Sequence, residues 1–127
     1  MRVRSTRRLG DLELRILNVL WERGPSTVRE VLESLPAPRP IYTTVLTMMR
    51  LMFEKGYLDR RQRGRRHVYQ ARLKETAVKR GLLHDLVEGA FRGSTAALLV
   101  RLLEDEKLSP QELDRVRKLI AEKDRGR

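Results

Sequence analysis

Residues 41–71, IYTTVLTMMRLMFEKGYLDRRQRGRRHVYQA, decide the fold. Their first half places apolar side chains at helical spacing, which predicts a helix over about 41–55 that Gly56 ends. The second half predicts two strands, 57–63 and 66–71, on either side of a turn at Gly64-Arg65. We expect the buried stripe of this helix to consist of Ile41, Val45, Met48 and Met52.

Two further helices are predicted before this stretch. Residues 9–22 carry Leu, Ile and Val at helical spacing. The next helix begins at Ser26 or Thr27, because Thr27 and Glu30 have the spacing of a capping box. Three helices followed by a hairpin predict a winged helix-turn-helix domain over residues 1–72.

The third predicted helix has a polar face opposite its apolar stripe, with Thr43, Thr44, Thr47 and Arg50. Threonine is a mediocre helix former, so several threonines on one exposed face need an explanation. In the major groove of DNA, their hydroxyls reach phosphates and base edges, and arginine bonds guanine with two hydrogen bonds. We therefore interpret this face as a DNA-contacting surface; the alternative is an ordinary solvated helix face.

The predicted hairpin is strongly basic. Its five arginines are Arg60, Arg61, Arg63, Arg65 and Arg66. At strand spacing they project to both sides of the ribbon, which suits a wing that lies along a phosphate backbone or in the minor groove. Such a ribbon is equally able to bind RNA or anionic lipid, so by itself it does not select DNA.

The net charge of +11 is concentrated in the first half of the chain. Residues 1–73 hold 16 Lys/Arg and 7 Asp/Glu, whereas residues 74–127 hold 12 and 10. A basic half joined to a nearly balanced half indicates a polyanion-binding module followed by an interaction module.

The tail, residues 73–127, is predicted to be wholly helical. One helix covers about 74–91, and a short helix follows Gly93-Ser94 through Leu103. The last helix has the clearest start signal in the chain. Its cap residue, first helical residue and capping-box partner are Ser109, Pro110 and Glu112.

The apolar faces of this tail are too broad for so small a segment to bury by itself. A second copy of the chain is the simplest partner, so residues 73–127 are predicted to form a helical dimerisation domain. The expected interface residues are Leu83, Leu86, Val87, Phe91, Leu98, Leu102, Leu113, Val116, Leu119 and Ile120.

Several classes of function require residues that this chain lacks. The absence of cysteine excludes disulfides, thiolate metal sites and thiol redox switching, and His67 and His84 alone cannot build a zinc site. Without a phosphate-binding glycine loop or a catalytic set of side chains, we expect no enzyme activity, cofactor or metal. The start of the chain is basic rather than apolar, and no stretch has membrane-spanning length. These features predict a cytoplasmic protein that does not bind membranes directly.

Several stretches together resemble the BlaI/MecI/CopY family of penicillinase repressors. They are LGDLE at 9–13, VLW at 19–21, YTTVLTMMR at 42–50, EKGYL at 54–58, GRRHVY at 64–69 and LSPQEL at 108–113. The resemblance covers the chain from about Leu9 to Ile120 and implies a homodimer that represses transcription from an inverted-repeat operator, often with TACA/TGTA half-sites. It also implies that the third helix is the recognition helix.

The resemblance further implies a membrane sensor-protease as a partner, because several members leave DNA when they are cleaved in the C-terminal region. The corresponding bond here is Arg101-Leu102. The complete set of expected DNA contacts is Arg39, Tyr42, Thr43, Thr44, Leu46, Thr47, Arg50, Arg60, Arg63, Arg65 and Arg66.

The chain departs from the family pattern at three places. It lacks the C-terminal cysteine cluster of copper-responsive members, so the resemblance does not extend to copper sensing. It has Arg101-Leu102 where the best-known cleaved members have Asn-Phe, and Leu46 where they have a polar or basic residue. Two other interpretations stay open: a basic nucleic-acid-binding protein without a dedicated operator, and a helical protein-interaction module.

Overall fold

The computed structural model describes residues 9–126. The elements in chain order are α1 (Asp11–Arg23), α2 (Val28–Ser34), α3 (Tyr42–Glu54), β1 (Leu58–Arg63), β2 (Arg66–Ala71), α4 (Glu75–Ala90), α5 (Thr95–Asp105) and α6 (Pro110–Arg125). This confirms the predicted fold class, mainly α with one β-hairpin. The basic residues 1–8, on which the expectation about the start of the chain rests, lie outside the described part.

The chain divides into two compact units, unit 1 (Met1–Asp85) and unit 2 (Leu86–Arg127), and the division falls within α4. The two compact units therefore meet later in the chain than the predicted boundary between the DNA-binding and dimerisation domains, at residues 72 and 73. That domain boundary stays a prediction. Leu73 belongs to unit 1, where its carbonyl oxygen accepts a hydrogen bond from Trp21 Nε1 at 2.9 Å.

The start of α2 follows the predicted capping box. The Oγ1 of Thr27 accepts a hydrogen bond from the Glu30 amide at 3.2 Å, and the Thr27 amide donates to the Glu30 carboxylate at 2.8 Å. The hydrogen bond from that amide lowers the pKa of the Glu30 carboxyl below its ordinary value. These two bonds satisfy amides that the first turn of a helix leaves without partners, and so define where α2 begins.

The core of unit 1 is formed by one face from each of the first three helices and by the base of the hairpin. Its buried members are Ile16, Leu17, Leu20, Val28, Val31, Leu35, Val45, Met49, Met52, Tyr57, Leu58 and Tyr69. Near this core, Glu13 at the start of α1 is buried, and its carboxylate accepts a hydrogen bond from Lys55 Nζ at 3.3 Å. That bond joins α1 to the C-terminal end of α3.

One core prediction was wrong. Ile41 was expected in the buried stripe of α3, but its side chain is 70% exposed. It is the N-cap of α3, with extended backbone angles, and therefore does not lie on the helical face. The buried stripe is Val45, Met49 and Met52, which keeps the predicted spacing but begins one turn later; Met48 is only partly buried against the core.

The hairpin is antiparallel from the pair Leu58–Ala71 to the pair Arg63–Arg66, with Gly64 and Arg65 in the turn. Gly64 has φ of +61°, which a residue without a side chain adopts at little cost. Tyr69 also forms a short bridge with Ser26, in which the two amides donate to the two carbonyl oxygens at 2.8 and 2.9 Å. The connection between α1 and α2 therefore holds the base of β2.

Unit 2 contains the end of α4, then α5 and α6. The predicted start of α6 is confirmed: the Ser109 hydroxyl accepts from the Glu112 amide at 3.1 Å, and Pro110 is the first helical residue. Likewise, Ser94 caps α5 through a bond from the Ala97 amide at 3.0 Å. Within residues 9–126, every helix is too short or too polar to cross a membrane.

Candidate nucleic-acid interface

The polar face of α3 is exposed over its whole length. Thr43, Thr44, Thr47 and Arg50 all lie on the solvent side of the helix, opposite the buried Val45 and Met49. These predicted contacts are therefore free to approach a ligand as one surface, on a helix whose other face the core fixes.

The hairpin register separates its arginines. Residues paired directly across the two strands share a face, so Arg61, Arg63 and Arg66 project from one face of the ribbon. Arg65 lies in the turn, and all four side chains are exposed. Arg61 was not among the predicted contacts, although the alternation of strand residues places it with Arg63. We refer to the hairpin, residues 58–71, as the wing.

Arg60 lies on the opposite face of the wing, with the core. Its guanidinium carbon is 4.1 Å from the centre of the Phe53 ring, and its Nη1 donates to the Tyr69 hydroxyl at 3.4 Å. The side chain is half-buried. The structure thus gives this predicted DNA contact two partners within unit 1, both of which link the wing to the end of α3.

Arg39 also has an intramolecular partner. Its Nε donates to the carbonyl oxygen of Leu35 at 2.8 Å, at the C-terminal end of α2. Carbonyl groups in the last turn of a helix have no partner within the helix, so this bond stabilises the end of α2.

A cleft of about 290 Å3, which we call the wing cleft, lies between α3 and the wing. It is lined by residues 27–29, by Tyr42 and Leu46, and by residues 65–67 with Tyr69. Four predicted contacts thus come together here: Tyr42, Leu46, Arg65 and Arg66. The cleft lining does not include Thr43, Thr44, Thr47, Arg50, Arg60 or Arg63.

Arg29 was not among the residues expected to contact DNA. Its guanidinium carbon lies 4.7 Å from the centre of the Tyr42 ring, a distance at which a cation is attracted to an aromatic face. Arg29 and Tyr42 are far apart in the chain and belong to different helices, so no local spacing predicts this contact.

The expected dimer residues fall into three groups. Leu83, Leu86, Leu102, Leu119 and Ile120 are exposed; Phe91, Leu113 and Val116 are half-buried; and Val87 and Leu98 are buried within a single chain. The exposed apolar residues of unit 2 also include Leu99, Val100, Leu103 and Leu108, which the sequence analysis did not select.

The candidate cleavage bond lies within α5, and the side chains on both sides of it are exposed. Leu102 is exposed, and the exposed Arg101 forms an ion pair with Asp105 one turn later, with 3.5 Å between Nη1 and Oδ2. Among the described residues, no group of His, Asp and Glu side chains is arranged to hold a metal ion.

Comparison with known proteins gives one consistent result. The model of the penicillinase repressor family matches residues 9–122. Transcriptional regulator BlaI of Mycobacterium tuberculosis is 35% identical over 122 residues, which cover 94% of this chain and 87% of that protein. The Penicillinase repressor of Bacillus licheniformis is 24% identical, with 90% of each chain covered. The Methicillin resistance regulatory protein MecI of Staphylococcus aureus (strain N315) is 19% identical, with 94% of this chain and 98% of that protein covered. This chain therefore belongs to the penicillinase repressor family.

Proposed function

We propose that this protein is a transcriptional repressor that binds an inverted-repeat DNA operator as a homodimer. The family consists of DNA-binding regulators and not of enzymes, and that much follows from membership. The observation that carries the proposal further is the wing cleft, where the recognition helix α3 and the basic wing border one surface.

In this proposal α3 lies in the major groove. The exposed threonines supply hydroxyl and methyl groups to base edges and thymine methyls, and Arg50 supplies two parallel donors to a guanine. The wing arginines Arg61, Arg63 and Arg66 then contact the sugar-phosphate backbone, where their charge contributes affinity with little sequence preference.

Dimerisation is supported by the apolar surface of unit 2. Leu99, Leu102 and Leu103 are exposed at i, i+3 and i+4, so they lie on one side of α5. Leu119 and Ile120 are exposed on α6 as well. So many exposed large apolar side chains are unusual on a monomer and suit a second copy of the same chain.

Release from the operator follows from loss of the dimer. Two linked half-site contacts bind far more tightly than either one alone, so disruption of unit 2 lowers affinity without any change in α3. A membrane sensor-protease that cuts at Arg101-Leu102 is one route to that disruption. Because this bond lies within α5, cleavage requires the helix to open locally.

The test compares the two kinds of contact on full-length protein. A duplex selected by the protein from a random library and a scrambled duplex are titrated at several salt concentrations. We expect Arg50→Ala to cost about 1–3 kcal/mol on the selected duplex and much less on the scrambled one.

Arg65→Ala is the matched control, since it removes the same charge from the wing. It is expected to weaken both duplexes alike and to make the salt dependence shallower by about one unit. Failure of the selection to enrich any sequence would favour a basic nucleic-acid binder without an operator. Equal loss of specificity in both variants would contradict the assignment of α3 as the recognition helix.

A further inference from the structure

We propose that the wing cleft is a phosphate-binding site and that Arg29, with Arg65, holds in it one phosphodiester of the bound duplex. This inference rests on the proposed function and deepens it. It assigns a DNA contact to α2, an element for which sequence analysis predicted none, and it gives the cleft a defined occupant.

The chemistry of the cleft selects an anion. Its lining includes the cationic residues Arg29 and Arg65 and contains no Asp or Glu. The neighbouring acid on α2, Glu30, already accepts hydrogen bonds at the start of α2 and pairs with Arg23 at 3.2 Å. The positive charge of the cleft is therefore not neutralised by its own lining, and guanidinium groups bind phosphate oxygens with paired hydrogen bonds.

The residues before Arg29 and the Tyr42 ring restrict the position of Arg29. Val28, the residue before it, is buried in the core, and Thr27 is fixed by the capping box. The guanidinium of Arg29 then stacks on the Tyr42 ring at 4.7 Å, which restricts a long and otherwise mobile side chain. An arginine that is already ordered loses less conformational entropy when it binds an anion.

The position of the cleft identifies the source of the phosphate. A helix in the major groove and a wing in the adjacent minor groove lie on opposite sides of a single sugar-phosphate strand. The wing cleft separates the first turns of α3 from the tip of the wing, so that strand has to pass along it. A small apolar effector fits less well, because the cleft is no larger than the smallest ligand pockets and is lined mostly by polar side chains.

The experiment uses full-length protein and the duplex that the wild type selects from a random library. Each phosphate of one half-site is replaced in turn by an uncharged methylphosphonate. For the wild type, we expect neutralisation of the phosphate in the cleft to weaken binding about tenfold. In Arg29→Ala we expect the parent duplex to bind about tenfold more weakly. The same methylphosphonate should then lower the affinity little further, because the variant already lacks the arginine that contacts this phosphate.

Arg80→Ala is the matched control, since it removes one exposed arginine from α4. It should keep the complete methylphosphonate profile of the wild type. If Arg29→Ala binds as the wild type does, or keeps every position of the wild-type profile, the inference is wrong. If the wild type selects no duplex at all, the proposed function itself fails, which is a separate result.

A free phosphorylated molecule presents the same oxygen atoms as a phosphodiester of DNA, so a separate experiment distinguishes the two ligands. Inorganic phosphate is added to the wild-type complex, with chloride at equal ionic strength as the reference. Because the phosphodiester of the duplex occupies the cleft in the complex, inorganic phosphate should show no binding to the complex that depends on Arg29. Binding of inorganic phosphate to the wild-type complex without loss of the duplex, abolished in Arg29→Ala, would show that the duplex leaves the cleft empty and would overturn the assignment to DNA.

Discussion

Unit 1 and unit 2 differ in where their apolar side chains lie. The core of unit 1 runs from Ile16 to Tyr69 and draws on every element of the winged helix. Between residues 86 and 126, in contrast, only Val87 and Leu98 are buried apolar residues, and most of the leucines are exposed. Both units are nonetheless helical, with well-defined caps.

The signals that start a helix and the burial of its side chains are therefore separate properties of a sequence. Capping by Ser94 and Ser109 determines where α5 and α6 begin, whether or not a partner is present. In unit 1 the tertiary contacts come from the same chain. In the proposed dimer, the exposed leucines of unit 2 gain such contacts from the second copy, and the stability of unit 2 is then expected to depend on protein concentration.

The largest expected effect comes from placing a charge on the apolar side of α5. In Leu99→Glu, a carboxylate would be buried in the dimer interface, so we expect the protein to become monomeric. Affinity for the selected duplex should then fall by about 10²–10⁴, the range over which linkage commonly raises binding. Sedimentation and duplex titration measure the two effects.

Gln111→Glu is the control, since it adds the same charge at an exposed position of α6. We expect it to remain dimeric and to bind DNA normally. A Leu99→Glu protein that is still dimeric would show that this side of α5 is not the interface. A monomer with unchanged affinity would instead separate dimerisation from operator binding.

The elements of both units were largely predictable because their signals are local. Thr27 with Glu30 and Ser109 with Glu112 are capping boxes contained within four residues, and Gly64 marks the hairpin turn. Ile41 was misplaced for a related reason. A periodic pattern does not reveal whether its first apolar residue lies inside the helix or is its cap.

The site was predictable only where exposure follows from periodicity. The outer face of α3 was found correctly as exposed, because it is the complement of a buried stripe. The contacts of Arg60 with Phe53 and of Arg29 with Tyr42 were missed, because these rings approach the arginines only through the tertiary fold. A count of arginines in a hairpin does not distinguish a side chain that faces solvent from one that packs against the core.

The next effect tests whether Arg60 belongs to the core of unit 1. Loss of its contacts with Phe53 and Tyr69 in Arg60→Ala should lower the free energy of unfolding by about 1 kcal/mol. The salt dependence of DNA binding should not change, because no phosphate contact is lost. The measurement is urea unfolding followed by the fluorescence of Trp21. This signal reports on unit 1, because the Trp21 indole donates a hydrogen bond to the Leu73 carbonyl oxygen there.

Arg63→Ala provides the matched comparison on the other face of the wing. Its unfolding should stay within about 0.5 kcal/mol of the wild type. Its salt dependence should become shallower by about one unit. The reverse result, with unfolding unchanged in Arg60→Ala and its salt dependence reduced, would return Arg60 to the set of DNA contacts.

The smallest effect concerns a turn inside unit 2. Arg92, between α4 and α5, has φ of +52°, a left-handed conformation in which a β-carbon is unfavourable. The surrounding bonds hold it there, since the Phe91 and Gly93 amides both donate to the Val87 carbonyl oxygen, at 3.1 and 2.9 Å. Arg92→Gly relieves the strain but also gains entropy in the unfolded chain, so we expect a net stabilisation of about 0.5–1 kcal/mol. Arg92→Ala removes the same charge but keeps the β-carbon, and should show no such gain. Urea unfolding of the three proteins, followed by circular dichroism at one protein concentration, measures the difference. If the glycine and alanine variants unfold together, the turn stores no measurable strain.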